Sequence, residues 1–84
     1  MAQQAIQTDH YTLYPSPHNL HREIFVHHCF VLQPYALIDL PSFRLQGRYS
    51  LFAAYRKVDG KMGQLVTFEL EPDRLRFERE FEPD

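Results

Sequence analysis

Arg74-Leu75-Arg76-Phe77-Glu78-Arg79-Glu80-Phe81-Glu82 is the stretch on which the fold turns. Leu75, Phe77 and Phe81 fall on alternate positions with charged residues between them. That is the period of a strand with one face in a core and one in water. Arg79 interrupts the apolar face between Phe77 and Phe81. A strand reading therefore puts Arg79 and Phe81 at a sheet edge or opposite an acidic partner, and makes both candidate binding residues.

Working upstream, Gln64 to Leu70 and Tyr49 to Val58 are two further candidate strands. The turn-rich Asp59-Gly60-Lys61-Met62-Gly63 joins them, and a β-meander follows. Ser42 to Val58 admits two readings. As a strand, the odd positions from Phe43 to Tyr55 form an apolar face, and Arg44, Gln46, Arg48, Ser50 and Arg56 a polar one, with Gly47 at a bulge or bend. As a helix, Pro41 sits near the first turn, but Gly47 costs about 1 kcal/mol in the interior. The strand reading is preferred.

Arg22 to Leu32 carries Ile24, Phe25, Val26, Phe30 and Val31, β-formers on both sides of the pleat, and reads as a central strand. Gln33-Pro34 ends it, Tyr35 to Leu40 makes a short strand, and Pro41 ends that. Residues 1–20 read as a loose arm in which Thr8 to Tyr14 could pair as an edge strand, stopped by Pro15 and Pro17. The expected fold is all-β, or β-rich α+β: a small bent antiparallel sheet or partly open barrel of five or six short strands, comparable in size to SH3-like and OB-like barrels. It forms one domain over residues 1–84, with a β-rich body from residue 21. A helix over Ser42 to Lys57 packed on the sheet is the alternative.

The totals agree with a small globular domain. The chain has 84 residues, seven Phe, five Tyr and no Trp. A body of this size buries only about 60–65% of its unfolded surface, so a partner, a metal or self-association would help it. A single cysteine, Cys29, excludes an internal disulfide and suits a reducing compartment. The N-terminal residues lack the basic start and apolar run of a signal peptide, and no stretch approaches ~18 consecutive apolar residues, so a soluble cytoplasmic protein without membrane partners is expected. The net charge of -2 hides a division. Residues 44–61 carry five basic side chains against Asp59, while residues 64–84 carry seven acids against three Arg. Such segregation serves strand pairing inside the molecule or two surfaces of opposite sign outside it.

Three constellations could carry function. His18, His21, His27, His28 and Cys29 supply zinc-type ligands. On a strand His27 and Cys29 share one face, so His18, His21, His27 and Cys29 are the candidate metal set, although their spacing matches no zinc signature. Arg44, Arg48, Phe52 and Arg56 on one strand face would give a nucleic-acid-binding barrel its cations and ring. The acidic whole and the single aromatic favour instead a solvated face that pairs with the acidic C-terminal third. For catalysis, His10 with Asp9, Asp39, Cys29 and several Ser show no base and orienter within reach, and three Gly are too few for a phosphate loop. An enzyme is not expected. The leading expectation is a non-enzymatic protein-binding module, an accessory subunit, regulator or inhibitor, that docks on a larger protein or on itself without a cofactor. The nucleic-acid-binding barrel and the metal-stabilised module are the alternatives.

Overall fold

The computed structural model describes residues 5–15, 23–33 and 37–81. Five strands run β1 (Ile6–Gln7), β2 (Tyr11–Pro15), β3 (His27–Val31), β4 (Tyr49–Arg56) and β5 (Lys61–Phe68), and one helix, α1 (Glu71–Glu80), follows them. A 3-10 turn at Leu40–Phe43 precedes β4. The strands form one antiparallel, unclosed sheet in the order β1-β2-β4-β5-β3. The expected small bent antiparallel sheet is present.

The stretch from Arg74 to Glu82 is helical up to Glu80, which corrects the strand reading. Pro72 stands in the first turn, where its missing N–H costs nothing, and Glu71 and Asp73 beside it complement the positive end of the helix dipole. Asp73, Phe77 and Phe81 recur every fourth residue and share one side; the rings of Phe77 and Phe81 stack at 5.0 Å. Leu75, which the strand reading placed in the core, is half exposed. Arg79 lies on the exposed side of the last turn, and its interruption of the period of two was the sign of a helix.

Other boundaries also move. The strand expected over Arg22 to Leu32 is confined to His27–Val31 and lies at an edge of the sheet; the centre belongs to β4 and β5. Residues 37–39 are not strand, and Leu40–Phe43 turns tightly where Pro41 can open a helical turn but not pair in a sheet. Tyr35 falls outside the described residues. Part of the expected arm is a hairpin: β1 pairs with β2, and β2 lies inside the sheet against β4, ending at Pro15. No helix over Ser42 to Lys57 forms. The strand begins at Tyr49; Leu51 on the expected face is buried, but so are Ser50, Phe52 and Ala54 on the face expected to be polar, while Ala53 and Tyr55 are exposed.

The difference follows from burial on both faces. On one face, α1 and the 3-10 turn cover Val31, Leu51, Val66 and Phe68, with Leu40 and Phe77 completing that cluster. On the other, Leu13, Phe52, Ala54 and Leu65 are buried beneath Tyr11 and Phe30. Tyr11 on β2 and Phe30 on β3 are separated by two intervening strands, yet their rings stack at 5.6 Å. Flat strands at ~4.8 Å spacing could not bring them together, so the sheet is strongly curled and this face is concave. Gly63 permits the closure, because a Cβ there would lie 2.7 Å from the Phe30 ring and 2.2 Å from the Val31 carbonyl oxygen. The Arg56 guanidinium, held by Asp59 at 2.7 Å, caps the Phe30 ring at 4.5 Å.

Helix α1 is fastened by its first turn. The buried Asp73 carboxylate accepts the Gly47 N–H at 2.8 Å and the Gln46 N–H at 3.1 Å, joining the helix to the chain that enters β4. Bonds to an ionised acceptor contribute about 1.5–3 kcal/mol each. Asp73→Ala leaves two backbone donors unmet and lowers unfolding stability by about 3 kcal/mol in urea titration; Asp73→Asn, which keeps one acceptor oxygen, loses about half of that. Unchanged midpoints in both variants would show that the contact does not fasten the helix.

Candidate functional site

Residues singled out in the sequence are dispersed. Arg44 sits after the 3-10 turn with φ 55° and is exposed. Arg48 lies just before β4, bonded to Glu23 and Glu69 at 3.2 Å each and stacked over Phe25. Arg56 lies at the far end of the same strand, ~26 Å along an extended chain from Arg48. Phe52 between them is fully buried. The strand face that was to present Arg44, Arg48, Phe52 and Arg56 together is therefore not formed, since Phe52 turns into the concave core and both strand arginines are engaged by carboxylates. The expected pairing of basic strand and acidic C-terminal third is realised at Arg48 and Glu69, whose carboxyl is held below its ordinary range by the Arg48 N–H and guanidinium. Most acids of α1 instead pair along the helix itself: Glu71 and Glu78 with Arg74, and Glu80 with Arg76.

Of the metal candidates, His18 and His21 lie outside the described residues. His27 and Cys29 share the helical face of β3. Among the described residues, no three His, Cys, Asp or Glu side chains gather in an arrangement that could hold a metal. The Cys29 thiol lies beside Glu78, and its pKa is pushed up, first by burial and then by the Glu78 charge, against a smaller opposing effect of Arg74. A thiol held protonated in this way is a poor nucleophile.

What the fold does assemble is a cleft between β3 and α1, about 240 Å³, lined on the strand side from Cys29 to Gln33 and on the helix side by Phe77, Glu78 and Phe81. It opens beside the outer edge of β3. No described residue pairs with that edge. The ladders show which of its backbone groups face away from β5. Glu69 N–H donates to the Arg48 carbonyl at 2.9 Å, and bonded pairs alternate along antiparallel strands, so odd-numbered residues of β5 bond to β4 and even-numbered ones to β3. His27, Cys29 and Val31 therefore bond inward. The N–H and C=O groups of His28 and Phe30 point outward.

The edge is chemically unusual as well as open. Free edges are normally protected by Lys, other charges or Pro, and His27–Val31 contains none of them, nor does Leu32 after it. The opposite edge, β1, is two residues long. Of the expected binding residues, only Phe81 belongs to the cleft; Arg79 lines a separate hollow of about 250 Å³ with Gln46, Pro72, Asp73, Leu75 and Arg76 on the other flank of α1. The sequence reading missed His28, Phe30, Leu32 and Glu78. The uncharged run from His27 to Leu32 was the available signal.

A second exposed surface lies on the helical face beyond the reach of α1, where Tyr14 stands opposite Ala53 and Tyr55 opposite Met62. Comparison with family models, with curated proteins and with solved structures returns no match. Among the described residues, no helix is long and apolar enough to cross a membrane.

The thiol makes the cleft measurable. Alkylation of native Cys29 by iodoacetamide should rise with a pH midpoint above that of a free thiol, ~8.5. Because the folded-state pKa is the higher one, the thiol's contribution to stability is complete below the unfolded value and is lost as pH rises through the folded one. Cys29→Ser should flatten that part of the stability profile. A midpoint at or below ~8.5 would contradict a half-buried thiol set beside the Glu78 carboxylate.

Proposed function

We propose that this chain is a small protein-binding module that takes an extended segment of a partner as a sixth strand on the outer edge of β3. The observation that carries the reading is the edge itself: the outer side of a five-residue strand, paired with no described residue, without Asp, Glu, Lys, Arg or Pro, beside an open, largely apolar cleft. Strand addition supplies affinity through main-chain bonds and specificity through pockets for alternate side chains. The arrangement offers both. The role is that of an accessory subunit, regulator or inhibitor rather than an enzyme, and the single reduced cysteine suits a cytoplasmic setting.

Magnitudes indicate how the two parts divide the work. His28 and Phe30 offer four outward groups, and four bonds at about 1 kcal/mol each do not offset an association cost of ~4–15 kcal/mol. Apolar burial must supply the remainder. Leu32, 53% exposed, and the half-buried Phe81 border the cleft where a partner side chain would enter, and burial of one such chain contributes about 1.5–3 kcal/mol. Several side chains must therefore be covered together.

His28→Pro removes an outward N–H while leaving the inward bonds of His27, Cys29 and Val31 to β5, so it tests the edge with the ladder intact. A library of eight-residue peptides alternating apolar and polar residues is the probe. Peptides that bind wild-type protein should slow amide exchange at His28 and Phe30, and His28→Pro should weaken them at least tenfold without lowering the melting temperature by more than a few degrees. Protection at Tyr14 and Tyr55 instead, or no binding at millimolar peptide, would overturn the proposal.

A further inference from the structure

We infer, resting on strand addition at β3, that the segment taken carries a Lys or Arg opposite Cys29 and that this cation is received by Glu78. The register leads there. On an antiparallel strand bonded to the outward groups of His28 and Phe30, the residue facing Cys29 forms a non-bonded pair. Its side chain points to the same face as Cys29, the face that carries α1. The helix residue on this flank with a polar end is Glu78, which lines the cleft together with Cys29. A long side chain directed along that flank meets a carboxylate.

The carboxylate has charge to spare. Arg74 donates to Glu78 at 2.9 Å, but the same guanidinium also serves Glu71 at 3.5 Å. One cation between two carboxylates leaves the cluster at -1, and the neutral thiol does not change that. The remaining helix cations are placed elsewhere: Arg76 is 3.9 Å from Glu80, and Arg76 and Arg79 line the hollow on the opposite flank. The side chain of Glu78 is 40% exposed while that of Arg74 is 24% exposed, so the acid is the more open end of the pair. A second cation would complete a network of alternating charge beside an apolar cleft that excludes part of the water.

The same charge argues against a second copy of this chain as occupant. In any register that uses the outward groups of both edges, Cys29 would face His27, Cys29 or Val31 of the other copy, never a Lys or Arg. In the register centred on Cys29, the Glu78 carboxylates of the two copies would converge. Like charges on one side of a strand pair are destabilising. The occupant is therefore a segment of a different protein, apolar on alternate positions and basic at the one that meets Glu78.

Three eight-residue peptides identical but for Lys, Gln or Glu at the position opposite Cys29 give the test, with fluorescence anisotropy at 50 mM salt as the readout. The Lys peptide should bind about tenfold tighter than the Gln peptide and more tightly still than the Glu peptide, and the differences should shrink at 0.5 M salt. Glu78→Gln should abolish the preference, and Glu78→Arg should reverse it. If Glu78→Arg unfolds the helix, Glu78→Gln alone decides. Equal binding of all three peptides, still lost in His28→Pro, would overturn this inference and leave strand addition standing. Binding of none would overturn both. A concentration-dependent dimer protecting the His28 and Phe30 amides would replace the foreign partner with a second copy.

Discussion

The carboxylate of Asp73 holds the two halves of this molecule together. It is 3% exposed and accepts the N–H groups of Gln46 and Gly47, the residues that lead into the central strand β4. Those donors come from an irregular segment, bends rather than strand, so the sheet itself cannot satisfy them. Asp73 in turn stands in the first turn of α1, where a negative charge is favoured by the exposed N–H groups of the helix. One side chain thus answers two local needs and fixes the helix in position. Gly47 belongs to the same junction. A Cβ there would lie 2.7 Å from the side chain of Leu70, the residue that starts the helix, so glycine lets the two segments meet without moving that side chain.

The placement of α1 explains which parts of the sheet are closed and which are open. Ten residues of helix extend about 15 Å, whereas β4 and β5, at eight residues each, extend about 26 Å. The helix can shield only one end of its face. It covers Leu51, Val66 and Phe68 and leaves the Tyr14, Tyr55 and Met62 end to solvent. Among the described residues no helix covers the concave face, which is closed by the curl of the sheet, with Phe30 laid over Gly63 and the Arg56 guanidinium set on its ring. Curling to this degree draws β3 inward on its concave side. Its outer edge pairs with no described residue.

The same residues explain what could be seen in the sequence. Alternation and turn chemistry were enough to locate β4 and the hairpin, because Asp59 and Gly60 form a turn in almost any context, but Lys61, Met62 and Gly63, read as turn, already belong to β5. The helix was not legible as a helix. Leu75, Phe77 and Phe81 satisfy a period of two nearly as well as Phe77 and Phe81 satisfy a period of four, and only Arg79 and the Glu71-Pro72-Asp73 opening separate the readings. Facing failed in β4 for a different reason. With both faces buried, a strand no longer declares its inner side by polarity: Ser50 is buried because its hydroxyl meets that of Thr67 across the ladder, and Phe52 because the sheet curls over it. The charged candidates were dispersed for want of a period that linked them. Asp73 was beyond sequence reasoning altogether, since its partners are backbone groups 26 and 27 positions away.

An open edge is ordinarily a hazard, and this chain treats its two edges differently. β1 is held to two residues, and its neighbour β2 ends at a proline. β3 has the same five-residue length as β2 but carries only imidazole, thiol, phenyl and isopropyl side chains on its pleat. Self-pairing is restrained without any charge on the strand, because the charge sits above it on α1. Glu78 leaves the backbone edge accessible while setting a negative group over the position where another copy would bring its own. A carboxylate on the helix can reject like edges and still admit a segment that brings a cation, which a Lys or Pro placed in the strand would not allow. The cleft, the bare edge and the half-neutralised Glu78 are therefore three consequences of one placement, that of a short helix fastened by Asp73 against the last strand of the sheet.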